Sequence, residues 1–286
     1  MVKFFVDAFA DMFNDELAKN NLNLAPSKLK YGKKIIEFSG YDKKPTSNMF
    51  EDIKNNKYTI AHVTEQEWYS FFEPFLKNGD DVVFFSISLK LFSDGGQDLM
   101  AAFTELSENY PNRTIELIDT KTVSRGTSNI AVLCQTFYNA KKDLNKAIQF
   151  ATELSGQFVT AFVVDDVSFL SSNPILQKSG ASLTGGLIGM KPIISIDKEG
   201  NFKLLDKSRG FKAGVNKLFS ICHANGENIA DYTFSIIYAD AENEAKALKN
   251  KFLEYVSENE IFSTPTSLNN MSIVGPKFVG ITFHSK

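Results

Sequence analysis

Cysteine, tryptophan and histidine are scarce in this chain, at two, one and three residues of 286. Cys134 and Cys222 lie in opposite halves among apolar neighbours, which excludes a disulfide-stapled scaffold and predicts two buried thiols in a reducing compartment. His62, His223 and His284 show no metal-ligand spacing, and neither HExxH nor CxxC occurs, so no metal is expected.

A basic surplus is also missing. With 31 Lys and Arg against 34 Asp and Glu the formal net charge is −3, and no Lys/Arg-rich block or aromatic RNA-binding motif occurs. A general nucleic-acid binder is thereby excluded. No run reaches the roughly 18 uncharged apolar residues that a spanning helix needs. The apolar N-terminal stretch is interrupted by Asp7 and Asp11, so it does not serve as a signal segment. The expectation is a cytoplasmic protein with no membrane span.

What is present is an ordinary globular composition, 43% hydrophobic and 23% charged, in a chain long enough for about two domains and a large core. The 26 Phe residues accompany many Lys, Asn and Ile and are discounted as a sign of an aromatic pocket.

Val2 to Val6 reads as a strand, with Asp11 placed to cap a helix running to Asn20. Residues 21–57 are weakly patterned, with a helix expected over 49–57. Thr64-Glu65-Gln66-Glu67 is a capping box that opens a helix to about Asn78. Val82 to Leu89 is a continuous apolar strand, as a parallel sheet covered on both faces requires. Ile115 to Ile118 is the next strand, and helices follow over 124–142 and 143–155. Further on, Gly210 to Ala224 reads as a helix with Ala213, Leu218, Ile221 and Cys222 on its apolar side, and another helix covers 240–257.

The stretch from Ala161 to Asp197 organises the rest. A buried strand ends on Asp165-Asp166, and a turn cluster leads into an apolar segment from Ile175 to Met190. Gly180, Ala181, Gly185, Gly186 and Gly189 leave that segment little side-chain volume. Glycine costs roughly 1 kcal/mol per helical position relative to alanine, so such density points to close approach of the backbone to something. That neighbour is either another element of the chain or a slender apolar ligand. Gly180 to Gly186 mimics a phosphate loop only until Leu187 stands where Lys is required. Ile193 to Ile196 and Phe202 to Leu205 then form a hairpin about Gly200.

The order strand, Asp165-Asp166, Leu170, small-residue segment, Lys191-Pro192-Ile193-Ile194, hairpin and Ser208-Arg209-Gly210 resembles the DegV family of bacterial fatty-acid-binding proteins. Asp7-Ala8-Phe9-Ala10-Asp11 keeps the frame of that family's Asp-Ser-Thr-Ala-Asp turn. Ile118-Asp119 through Val123-Ser124-Arg125-Gly126 matches its Ile-Asp-Ser-x-x-Val-Ser-x-Gly landmark, and Val274-Gly275-Pro276 is similar to its Ile-Gly-Pro.

The resemblance implies an α/β fold of two α/β domains, 1–157 with a mostly parallel sheet and 158–286 with a mixed, antiparallel one, and a ligand tunnel between them. It further implies a long-chain fatty acid as ligand, a separate fatty-acid kinase subunit as partner, a monomer, no cofactor and no catalysis by the chain itself. Carried over residue by residue, the head-group set is Thr59 from the Thr-Ser-x-Pro segment and Ser88 and Ser93 from the Ser-Ser-x-Leu-Ser-Gly-Thr turn. His62 stands in for the family's imidazole. Phe169, Leu183, Leu187, Ile188 and Met190 would line the acyl tunnel.

The chain also departs from the pattern. Phe92 stands where the turn's serine is expected, Asp94 brings a negative charge, Asn173-Pro174-Ile175 replaces Gly-Arg-Ile, and the Gly-Thr-His-Thr-Gly-Pro-Gly segment is missing after Pro276. An alternative is therefore a diverged interaction or scaffold paralogue whose tunnel is filled by its own Phe side chains. An enzyme would need Asp7, Asp119, Asp165 and His62 around one cleft.

Overall fold

The computed structural model describes residues 1–38, 46–56, 58–166, 169–170, 189–226, 234–258 and 261–285. The first part of the chain gives β1 (Val2–Val6), α1 (Asn14–Lys19), β2 (Asn23–Leu24), β3 (Ser27–Tyr31), β4 (Lys34–Phe38), α2 (Ser47–Asn55), β5 (Tyr58–Ile60), α3 (Glu65–Lys77), β6 (Asp81–Ser86), α4 (Gln97–Asn109), β7 (Ile115–Asp119), α5 (Arg125–Lys141) and α6 (Leu144–Leu154). The remainder gives β8 (Phe158–Val164), β9 (Lys191–Ile196), β10 (Phe202–Ser208), α7 (Phe211–Asn225), β11 (Phe234–Ala239), α8 (Glu242–Phe252), β12 (Ile261–Pro265), α9 (Leu268–Val274) and β13 (Phe278–His284). Two compact units result, one of Met1–Asp42 with Ile60–Ser155 and one of Lys43–Thr59 with Gly156–Lys286.

The first unit is built on a parallel sheet in the order β2-β1-β6-β7. Val82, Val83, Phe84 and Phe85 of β6 are fully buried, as a central strand covered on both faces must be. Phe5, Trp68, Phe72, Phe84, Phe103 and Leu106 pack α3 and α4 on one face. On the other, Phe4 meets Phe85 and Tyr138 of α5. The Thr64 and Glu67 capping box is formed in full and starts α3 where the sequence places it.

Three details differ from the sequence reading. Asp11 does not cap α1, which begins at Asn14 behind Phe13; Asp11 instead turns back with φ +53 to meet Ser124. β6 stops at Ser86, because the Thr122 carbonyl takes the Ser88 N–H and the Asp119 carboxylate takes the Leu89 N–H. Residues 27–38 form an antiparallel hairpin turning at Gly32, φ +58. Its one deeply buried apolar side chain on β3, Leu29, sits between lysines that mask the alternation.

The second unit holds a six-stranded sheet in the order β10-β9-β8-β13-β11-β12, antiparallel throughout except for the β11 and β12 pair. Val215, Leu218 and Cys222 of α7 and Leu248 and Phe252 of α8 cover one face against Val163, Phe234, Ile236, Val279 and Ile281. Gly214 lets α7 approach β8, since a Cβ there would lie 2.3 Å from Val163 Cγ2. Gly214 and Val215 therefore occupy the inner side that the sequence reading gave to Ala213, which is exposed. Cys134 and Cys222 are both buried free thiols, and burial pushes each up to about 12. Among the described residues no helix is long and apolar enough to cross a membrane.

Candidate functional site

In the first unit the strand order reverses between β1 and β6, and the crevice outside the carboxyl ends of strands at such a reversal is where open α/β sheets hold ligands. Three loops meet that edge, Asp7–Asp11 after β1, Ile87–Asp94 after β6 and Thr120–Ser124 after β7. Each is fastened by an acidic side chain. Asp7 Oδ1 accepts the Phe9 N–H at 2.9 Å and the carboxyl also takes the Ile87 N–H. Burial nevertheless pushes Asp7 up to about 6. Asp119 Oδ1 accepts from the N–H groups of Leu89 at 3.3 Å and Lys121 at 3.0 Å. Burial raises its pKa too, against those bonds and the charges of Lys121 and Lys90.

Asp11 completes the frame. Its carboxylate accepts the Ser124 hydroxyl, its carbonyl accepts Arg125 Nη1 at 3.1 Å, and Arg125 Nη2 lies 2.7 Å from Glu16 Oε1. Asp11 and Ser124 both have positive φ, +53 and +57, a conformation that costs on the order of 1–3 kcal/mol at a residue with a side chain. The carboxylate, hydroxyl and guanidinium bonds hold them there. The Ser86 hydroxyl, at the end of β6, is buried without a hydrogen-bond partner among the described residues.

At the outer part of this edge, His62 Nε2 stands 2.8 Å from Asp98 Oδ2, which also accepts the Glu65 N–H at 3.2 Å. Asp94 accepts the N–H groups of Gly96 at 3.0 Å and Asp98 at 2.9 Å, and so closes the first turn of α4. Burial acts to raise Asp94, but those backbone bonds and the nearby His62 outweigh it and hold the carboxyl below its ordinary value. His62, Asp94 and Asp98 offer ligand atoms within 4.8 Å of one another, the one such trio among the described residues.

The head-group residues expected from the resemblance are dispersed in character. Ser88 is fully buried, while Ser93 and His62 are exposed. Phe92, half-buried in the place of the family's serine, packs on the α3 and α4 core. Thr59 is half-buried in β5 and counted with the second unit. The fold joins His62 to Asp98 and Asp94, a neighbourhood whose only sequence signal was the Asp94 charge. Arg125, part of the Val123-Ser124-Arg125-Gly126 landmark, has a partner in Glu16 that no motif marks.

In the second unit Phe169 is half-buried with its ring against Gly275, where a Cβ would lie 3.4 Å from Phe169 Cδ1. Met190 is half-buried, and Leu183, Leu187 and Ile188 lie outside the described residues. Asp165 Oδ1 lies 2.8 Å from Lys191 Nζ, so the strand-end carboxylate forms an ion pair across the ends of β8 and β9. His284 Nε2 bonds Gln157 Oε1 at 2.9 Å at the far end of the β8 and β13 pairing.

Comparison with known proteins adds three findings. The model of the family described as "Uncharacterised protein, DegV family" matches residues 1–286. A DegV domain-containing protein of Streptococcus pyogenes serotype M3 is 23% identical over 221 residues, covering 77% of this chain and 76% of its own. Among solved structures, a stearic-acid-binding protein from Eubacterium ventriosum superposes with TM-score 0.83 at 18% identity over 100% of this chain and 99% of its own. The structure described as fatty acid binding of a DegV family protein from Thermus thermophilus gives 0.81 at 17%, with the same coverage.

Proposed function

The chain belongs to the DegV family, and from that premise we propose that it binds a long-chain fatty acid or a closely related acyl lipid as a monomeric binding module and presents it to a separate fatty-acid kinase subunit. The likeness of the whole chain to the stearic-acid-binding protein of Eubacterium ventriosum carries this reading. Phe169 and Met190, with Leu183, Leu187 and Ile188, are the proposed acyl contacts. Thr59, Ser88, Ser93 and His62 are the proposed head-group contacts.

Magnitudes explain how lipid binding outlasts the altered head-group end. Burying about 15 methylenes at about 0.8 kcal/mol each is worth roughly 12 kcal/mol before ordering costs. One charge-assisted hydrogen bond contributes only about 1.5–3 kcal/mol. Replacement of one serine by Phe92 and arrival of an ionised Asp94 therefore erode the preference for a carboxylate far more than affinity for the chain. The acidic loop ties at Asp7 and Asp119 serve backbone N–H groups, which supports a framework and not a proton-transfer role for them.

The test is native mass spectrometry of delipidated protein titrated with stearic acid. A one-to-one adduct is the expected result, and apo protein alone at saturating lipid overturns the proposal. The Phe169 ring against Gly275 favours one further reading, a scaffold paralogue whose cavity is closed by its own side chain. Phe169→Ala separates the two: uptake by the variant alone means a plugged scaffold, whereas uptake by the native chain means a lipid binder.

A further inference from the structure

Among the described residues β7 is the last strand of the parallel sheet, with no strand on its outer side. The register pairs Val82 with Ile115 and Phe84 with Leu117, the Thr114 carbonyl accepts the Val82 N–H, and the Thr120 N–H reaches the Ser86 carbonyl. That pattern turns the backbone groups of Thr114, Glu116 and Ile118 toward β6 and those of Ile115 and Leu117 to the open edge. No strand pairs with them among the described residues.

Beside this edge runs α4, and between the two lies a shallow, open groove of about 440 Å³ lined by Phe103, Thr104, Ser107 and Glu108 of the helix and Ile115, Glu116 and Leu117 of the strand. A strand beside a helix, with an apolar floor and unpaired backbone groups along one wall, is the geometry that accepts an extended peptide as an added strand. Both faces of this edge carry an acidic group: Ile115 and Leu117 face the α4 side, so Glu116 between them faces the other side of the sheet, where an added strand would place its alternate side chains. Glu108 is exposed at the groove rim, and Glu116 is half-buried. Burial raises the Glu116 pKa, and no ion pair to it is present among the described residues.

We propose that the β7 and α4 groove is a docking site for an extended segment of a partner protein that carries Lys or Arg, which pairs with the Ile115 and Leu117 backbone as a fifth strand and sets its cation against Glu116. Charge decides the occupant. A second copy of this chain would bring Glu108 and Glu116 against their own equivalents, and like charges across paired strands are unfavourable. A half-buried carboxylate without a cation turns away an uncharged strand and gains from a basic one.

The experiment uses the full chain as selection target for phage-displayed random octapeptides, with Glu116→Arg protein as counter-target. Hydrogen exchange is then followed with the enriched peptide synthesised free. The expected result is enrichment of Lys or Arg alternating with β-branched residues, at least a fivefold loss of affinity for Glu116→Gln, and peptide-dependent protection of the Ile115 and Leu117 amides, since those of Glu116 and Ile118 are already bonded to β6. No enrichment, enrichment of acidic peptides, or binding that leaves the Ile115 and Leu117 amides unprotected overturns the proposal. So does self-association of the chain that is lost in Glu116→Gln, which would make this edge a contact between copies.

Discussion

Arg125 Nη2 lies 2.7 Å from Glu16 Oε1, with only 4% and 17% of the two side chains exposed. The pair joins α1, which follows the β1 loop, to the start of α5, which follows the β7 loop, and so locks the strained Asp11 and Ser124 backbone between them. Removing one partner of such a buried pair is expected to cost about 3–5 kcal/mol, because the remaining buried charge loses the ion that faces it. Glu16→Gln should therefore unfold at markedly lower urea than the native chain, while the double variant Glu16→Leu, Arg125→Met should recover much of the loss. Chemical denaturation of the three proteins measures it. Equal losses in the single and double variants would mean that the ion pair itself is not what holds the loops.

Asp7 makes stability depend on pH in a direction opposite to the usual carboxylate. Its folded pKa is about 6 against an ordinary 3.8, so the folded state prefers the protonated form. The stabilising contribution is complete below 3.8 and is lost as pH rises through about 6. The full difference corresponds to about 3 kcal/mol. Asp7→Asn keeps an oxygen for the Phe9 N–H and cannot ionise. It is expected to be more stable than the native chain at pH 7.5 and to lose that advantage at pH 4, as paired urea titrations at the two values would record.

Gly214 sets two effects against each other. Alanine gains about 1 kcal/mol of helix propensity over glycine. A Cβ there would fall 2.3 Å from Val163 Cγ2 and 2.8 Å from Ser208 Oγ, and overpacking of this kind costs about 1–3 kcal/mol. Val163 belongs to a central strand and has little room to give, so the steric cost prevails. Gly214→Ala should melt several degrees below the native chain. An unchanged or raised melting temperature would show that α7 shifts off β8 at no cost.

Much of this architecture is legible in the sequence because local chemistry and tertiary packing agree. The Thr64 and Glu67 box, the Asp143 cap of α6, the buried VVFF run of β6 and the Gly200 turn each state their structure within a few residues. The β3 and β4 hairpin was not legible, because lysines crowd the single inward Leu29. β12 and α9 were hidden for a related reason. Their buried groups include Thr264, Thr266, Ser267, Asn269 and Asn270, polar residues that interrupt the apolar pattern by which a buried element is read. The site is a different case. Ser124 and Arg125 carried a family landmark, but Asp11 and Glu16, more than a hundred residues earlier, became their partners only through the fold.

The final prediction concerns the altered head-group end. Asp94 is ionised at neutral pH, because backbone N–H groups of α4 and the neighbouring His62 hold it below its ordinary value, and Phe92 removes a hydroxyl that the family pattern supplies. A protein built this way should bind stearic acid and its methyl ester with similar affinity, since the acyl chain dominates. Asp94→Asn removes the charge and keeps one side-chain oxygen, so it retains one of the two N–H bonds at the start of α4. Phe92→Ser restores the hydroxyl where Phe92 was half-buried. A restored charge-assisted bond is worth about 1.5–3 kcal/mol and tenfold in affinity is about 1.4 kcal/mol, so the double variant should prefer the free acid by about tenfold or more. Competition between the acid and the ester, read by native mass spectrometry, measures the ratio. Asp94→Asn alone should shift it part of the way. A ratio that is unchanged in the double variant would place the lipid head group away from the β6 loop, while leaving acyl-chain binding itself intact.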